Sequence, residues 1–192
     1  MYSKLDICNR ALRLIGEVMV SSLDEKTKAA EECKFLYPIV KRETIESYPW
    51  KCTRKEVLLR SLYNKNDVTD SEDYNYKFLL PFDCIRVLAV NKGNCFKRDG
   101  IYLYSNSSTI KLYYTADVDE KYLTLRLCKI ISLKLALELT FSLFGDTALI
   151  NRLNNLLNIE NKKLTQLDSE EGELVNSSIH FNNTSSWLSA RV

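Results

Sequence analysis

Apolar and polar positions follow two periods along this chain. Near both ends they recur at spacings of three and four, the signature of helices; in between they alternate by two, as strands do. The first helix is expected over residues 3–15, with Leu5, Cys8, Leu12 and Ile15 on one face and Gly16 to end it. A second is expected over 24–47, with Ala29, Cys33, Leu36, Val40 and Thr44 in a row. Pro38 falls inside that run and predicts a kink or short break, and Pro49 predicts a stop at the Tyr48-Pro49-Trp50 corner.

The most apolar stretch is 117–145. Asp117 and Glu120 stand in capping-box spacing at its start and Gly145 at its end. Between them Leu125, Ile130, Leu133, Leu137 and Phe141 belong to a helix that is apolar around most of its circumference, its charges Arg126, Lys129, Lys134 and Glu138 largely confined to one stripe. Such a helix is covered on more than one side, as a central core helix or at a subunit interface. Its charges argue against a membrane span. Gly145-Asp146 joins it tightly to a last helix over 147–167, with Ile150, Leu153, Leu157, Leu164 and Leu167 on one side, as in an antiparallel helical hairpin.

Alternation by two marks the region between. Residues 55–59 and 84–90 read as strands, 64–74 as a polar loop and 91–94 as a turn. Asp99-Gly100 reads as a hairpin dipeptide leading into 101–104, and a strand over 109–115 follows. The fold class is therefore α+β: a bundle of about four helices with an inserted antiparallel β-meander lobe and an extended C-terminal tail. The divisions are 1–50 for the N-terminal helices, 51–116 for the β lobe, 117–168 for the helical hairpin and 169–192 for the tail. That tail is polar but carries Ile179, Phe181, Trp187, Leu188 and Arg191, the side chains of a segment that orders on a partner.

Composition narrows the chemistry. With 192 residues the chain can bury a substantial core as one domain. Its 27 basic and 25 acidic residues give a net charge of +2, without the basic excess of a typical nucleic-acid binder. The six cysteines are widely spaced with no CxxC, and read as reduced thiols of a cytosolic product. The first residues reach Lys4 and Asp6 before an apolar run can form, so no signal peptide is expected; the sequons at Asn106 and Asn176 then carry no glycan.

No catalytic constellation emerges. The one histidine, His180, lies in the polar tail, where it cannot be pre-organised as a base for Cys95 or any serine. Cysteine and histidine spacings do not match a metal site, and with five glycines there is no phosphate-cradling loop. The acidic run Glu170-Glu171-Gly172-Glu173 reads as solvated. No cofactor is expected. Tyr102, Tyr104, Tyr113 and Tyr114, with Lys97, Arg98 and Lys111, have the composition of a stacking platform for single-stranded nucleic acid, yet cross-strand pairing accounts for them more simply.

Several short stretches recur in one order: Asn9-Arg10-Ala11-Leu12, Ile15-Gly16-Glu17, Val20-Ser21-Ser22-Leu23, Tyr37-Pro38, Tyr48-Pro49-Trp50, the run from Leu80-Pro81-Phe82-Asp83 to Leu88, and Tyr113-Tyr114 ahead of the Leu135-Ala136 helix. In that order the chain resembles the tail tubular protein A family, the adaptor or gatekeeper ring of short-tailed bacteriophages. The resemblance covers about 150 residues and leaves out the tail after Asp168.

It implies a non-enzymatic virion protein assembled in the bacterial cytoplasm into a homo-oligomeric ring, commonly a dodecamer. Such a ring joins the portal protein above to the tail nozzle protein below, and double-stranded DNA passes transiently through its lumen without membrane insertion. On that reading Ile179, Phe181, Trp187, Leu188 and Arg191 meet the portal. Leu125, Ile130, Leu133, Leu137, Phe141, Ile150, Leu153 and Leu157 form core or subunit contacts. Loops carrying Asn66, Asp70, Lys92, Asn94, Lys97 and Arg98 face the nozzle. The rival readings are a head-completion connector of a long-tailed phage or gene-transfer particle, a single-stranded nucleic-acid-binding module and, more remotely, a small hydrolase.

Overall fold

The structure, a computed structural model, describes residues 2–64, 74–91 and 95–173. Among these residues it is an α+β fold in which four helices, α1 (Lys4–Leu14), α2 (Lys28–Ser47), α3 (Leu125–Leu143) and α4 (Thr147–Glu173), carry an antiparallel β lobe of seven strands between α2 and α3. One continuous hydrophobic core joins bundle and lobe, running from Ile7 and Leu12 through Trp50, Phe78 and Leu112 to Ile131 and Leu153.

Local chemistry sets the helix ends. Ser3 Oγ accepts from the Asp6 N–H at 3.1 Å while Asp6 accepts from the Ser3 N–H at 2.8 Å, a reciprocal cap on α1. Thr27 caps α2, which therefore starts four residues later than its apolar pattern suggests. The helix then continues through Pro38 without a break: Tyr37 and Val40 on either side of the proline are buried, and their packing holds the turn that the missing N–H weakens.

α3 is the centre of the bundle, with α1, α2 and α4 all packed on it. That explains its apolar circumference within a single chain: Leu127, Ile130, Ile131, Leu133, Leu135, Leu137 and Leu139 are all buried. Its start differs from the expected one. Thr124 is the N-cap, accepting from the Leu127 N–H at 3.2 Å, whereas Asp117 and Glu120 lie in the segment before it and bind Lys41. A lysine on another helix competes for these carboxylates, and spacing along the chain cannot register that.

The α3–α4 joint is as tight as the sequence implies. Gly145 takes φ +67°, which a side chain resists, and donates its N–H to the Thr140 carbonyl at 2.8 Å. Asp146 Oδ1 then accepts from the Ala148 N–H at 2.8 Å to start α4. Lys129 and Glu160, nearly equidistant from Gly145 in sequence, meet at 2.8 Å, the pairing of an antiparallel hairpin. α4 runs on to Glu173, so the first residues of the expected tail are helical.

The lobe is built from β1 (Arg54–Arg60), β2 (Tyr63–Asn64), β3 (Tyr76–Leu79), β4 (Cys84–Val90), β5 (Phe96–Asp99), β6 (Tyr102–Ser105) and β7 (Thr109–Ala116). These do not form the simple meander anticipated. They make two sheets, ordered β1-β7-β4 and β2-β3-β6-β5. β7 takes a central place because Ile110, Leu112, Tyr114 and Ala116 are all buried, and both its edges are paired. Alternation in sequence reveals the buried face of a strand but not its neighbour. The hairpin near Gly100 is also shifted by one residue: Asp99 pairs with Tyr102, and the turn residues are Gly100, at φ +55°, and Ile101.

Candidate assembly surface

The corner that leads into β4 is pinned from several directions. Asp83 Oδ2 accepts from Lys55 Nζ at 2.7 Å and Oδ1 from the Tyr114 hydroxyl at 3.2 Å. Its carbonyl accepts from the Asp117 N–H at 2.8 Å, and the Pro81 carbonyl accepts from the Cys84 N–H at 2.9 Å. Burial, with the Asp83 charge next, pushes the Tyr114 hydroxyl up to about 12, so it stays protonated and donates throughout the physiological range. On this fixed backbone Phe82 stands fully exposed. The pinned backbone presents this aromatic at a fixed point of the surface, so a partner that covers it need order only the side chain.

A shallow cavity of about 260 Å³ beside Phe82 is lined by Lys41, Arg42, Asp83, Cys84 and 117–119. A charge knot holds its floor. Lys41 Nζ lies 3.1 Å from Asp117 and 3.3 Å from Glu120, and Glu120 accepts from the Tyr37 hydroxyl at 2.7 Å. Burial works against the Glu120 charge, but the Tyr37 hydrogen bond and the Lys41 ammonium outweigh it and hold the carboxyl below its usual range. Tyr37 is pushed well up, first by burial and then by Glu120. The knot clamps α2 to the segment ahead of α3.

The expected core or interface residues separate into two groups. Ile130, Leu133, Leu137, Ile150 and Leu153 are buried within the subunit and Leu157 is half-buried against the core. Leu125 and Phe141 are instead 65 % and 62 % exposed, Leu125 as the first residue of α3 and Phe141 near its other end on the same face as exposed Glu138. Leu125 edges a groove of about 290 Å³ with Trp50, Cys52, Leu164 and Leu167. At the other end Leu143 joins Val18 and Met19, both exposed, around an opening of about 380 Å³.

Lys97 and Arg98, expected in a loop, lie in β5, an exposed edge strand. Arg98 donates to the Gly100 and Ile85 carbonyls, at 3.2 and 3.4 Å. Charged residues on an edge discourage pairing with another sheet, which accounts for them without a nozzle. Asn66, Asp70, Lys92 and Asn94 lie outside the described residues, as do Ile179, His180, Phe181, Trp187, Leu188 and Arg191. The tyrosines of the second sheet are engaged: Tyr104 is buried, and Lys77 Nζ lies 4.1 Å from the centre of the Tyr102 ring.

Chemistry-bearing groups are dispersed. Cys8, Cys33 and Cys128 are buried, Cys95 is exposed, and none of the six thiols is in a disulfide. Burial pushes the Cys128 thiol up to about 11. Among the described residues no group of three or more His, Cys, Asp or Glu could hold a metal ion, and no helix is long and apolar enough to cross a membrane.

Two exposed apolar pairs went unnoticed in the sequence: Phe35 and Ile39 on α2, and Leu156 and Ile159 on α4. Their signal was present as a second apolar row opposite or beside the first, masked because the first row already satisfied the helical period. In comparisons with known proteins, no family model and no curated protein matches the chain.

Proposed function

We propose that this chain is a non-enzymatic structural protein of a virion: a ring-forming head-to-tail adaptor that joins a portal to a tail nozzle and lines part of the channel through which DNA leaves. The observation that carries this reading is Phe82, fully exposed on the corner that Asp83 pins to Lys55, Tyr114 and Asp117. A monomer gains nothing from holding an aromatic side chain out in water; an assembling protein gains an anchor at a defined point of its surface. The reading also draws on the resemblance to tail tubular protein A, whose stretches converge on structural joints here: Asn9 with Val20, Tyr37 with Glu120, and the Asp83 corner. Near-neutral charge suits a conduit, because each neutralised phosphate adds salt-dependent affinity for DNA.

Replacing Phe82 with Ser leaves the fold intact and weakens assembly with the ring neighbours or the portal, read by co-sedimentation with the portal protein of the same genome. Deleting residues 179–192 removes the portal contact assigned to Ile179, Phe181 and Trp187. Undiminished assembly of both variants would overturn these assignments.

A further inference from the structure

α2 and α4 flank the central helix, both packed on α3, and each carries an apolar pair that its own subunit leaves uncovered. On α2 the inward row is Ala30, Cys33, Tyr37, Val40 and Thr44. Phe35 and Ile39, four residues apart, point the other way and are 68 % and 43 % exposed. On α4 the inward residues are Ile150, Leu153 and Leu164, while Leu156 and Ile159 stand on a flank at 38 % and 49 % exposure.

The charges around the two pairs are opposite. Glu31 lies one turn before Phe35 and Glu46 two turns after Ile39, both exposed; Glu32 and Glu43 add to them, and Lys28 and Arg42 offset only part, so this face is net negative. Arg152 lies one turn before Leu156 and Lys163 one turn after Ile159, both exposed; Glu160 beside Ile159 is already held by Lys129 at 2.8 Å and lies 4.0 Å from Lys163, so this flank is net positive. The α2 face is therefore an apolar pair in net negative surroundings, and the α4 flank an apolar pair in net positive ones. Packing α2 on α2 would set carboxylate against carboxylate, and α4 on α4 cation against cation. The combination with both apolar contact and charge attraction is α2 of one copy on α4 of the next.

We infer that the occupant of the α2 face around Phe35 and Ile39 is the α4 flank of a second copy of this chain, carrying Leu156 and Ile159. The contact is heterologous: each copy uses one of its two faces on each neighbour, so the contact repeats and closes into a ring when the rotation per copy allows. The two helices pack at the usual interaxial distance of about 8–10 Å with the apolar pairs between them. This rests on the ring reading proposed above and names the surfaces that make the ring.

Charge reversal tests it on the full-length protein. One variant carries Glu31→Lys and Glu46→Lys, the other Arg152→Glu and Lys163→Glu; all four positions are exposed, so both variants fold, with a small loss in melting temperature from the first-turn Glu31 and the Lys163–Glu160 pair. In sedimentation velocity over a concentration series, each variant alone associates about tenfold more weakly than wild type or not at all, the scale of one to two unfavourable ionic contacts. Mixed in equal amounts they recover wild-type association, because every contact in an alternating ring again pairs opposite charges. A wild type that assembles while the reversals change nothing, or reversals that weaken assembly without recovery on mixing, would overturn these faces and leave the ring standing. A wild type that stays monomeric at every concentration, with the portal protein of the same genome absent and present, would overturn both.

Discussion

Asn9 on α1 holds Val20 through both halves of its carboxamide. Nδ2 donates to the Val20 carbonyl at 2.9 Å and Oδ1 accepts from the Val20 N–H at 2.9 Å. This pair fixes the return of the chain after Gly16 and so the angle at which α2 enters the bundle. Replacing Asn9 with Ala removes two part-buried hydrogen bonds and lowers stability by about 1–3 kcal/mol, read from urea unfolding. Asp at the same position keeps the acceptor but sets a carboxylate against the Val20 carbonyl; it destabilises by at least as much.

Glu120 makes the fold sensitive to acid. Its folded-state pKa lies below the ordinary glutamate range, so its contribution is present above the unfolded value and is lost as pH falls through the folded one. Thermal midpoints of wild type and Glu120→Gln therefore differ at neutral pH, with the variant lower, and converge only in acid below the ordinary glutamate range, where the wild-type carboxyl gains its proton. A constant gap across that range would show that the charge on Glu120 contributes nothing and that the hydrogen bond from Tyr37 is shape alone.

The two groups of α3 residues separate in stability measurements. Ile131→Ala empties a fully buried site and costs about 2–5 kcal/mol. Phe141→Ser removes a side chain that lies in water and changes monomer stability by no more than about 0.5 kcal/mol. A large loss at Phe141 would mean that this end of the helix is covered within the subunit.

Thiol reactivity follows burial. An alkylating reagent at pH 8 modifies Cys95 in the native protein, while Cys8, Cys33 and Cys128 react after unfolding. Cys128 is doubly protected, by burial and by a thiol held protonated up to about 11. Prompt native-state labelling of Cys128 would contradict the packing of α3 on its neighbours.

Much of this molecule was legible in its sequence because local signals and the tertiary fold agree. Helical period gave α1 within a residue at each end and the bodies of α3 and α4, although α3 starts at Leu125 rather than 117 and α4 ends at Glu173 rather than 167; Gly145-Asp146 gave the hairpin, and the alternation in 109–115 gave β7. What stayed hidden depended on partners distant in sequence. Asp117 and Glu120 look like a helix cap until Lys41 is placed beside them, and the strand order β1-β7-β4 follows from long-range pairing that no dipeptide encodes. The apolar circumference of α3 pointed equally to a core and to an interface. Its three neighbours within the subunit settle most of that face as core, and shift the case for assembly to Phe82 and to the outer faces of α2 and α4.

The central claim is that copies of this chain join into a ring at a portal. Native mass spectrometry of the full-length protein, alone and mixed with the portal protein of the same genome, tests it most directly. The account predicts that the 22.3 kDa chain adds to the portal as a discrete multiple that matches a closed ring. A 22.3 kDa species that persists unchanged at every portal concentration would contradict it.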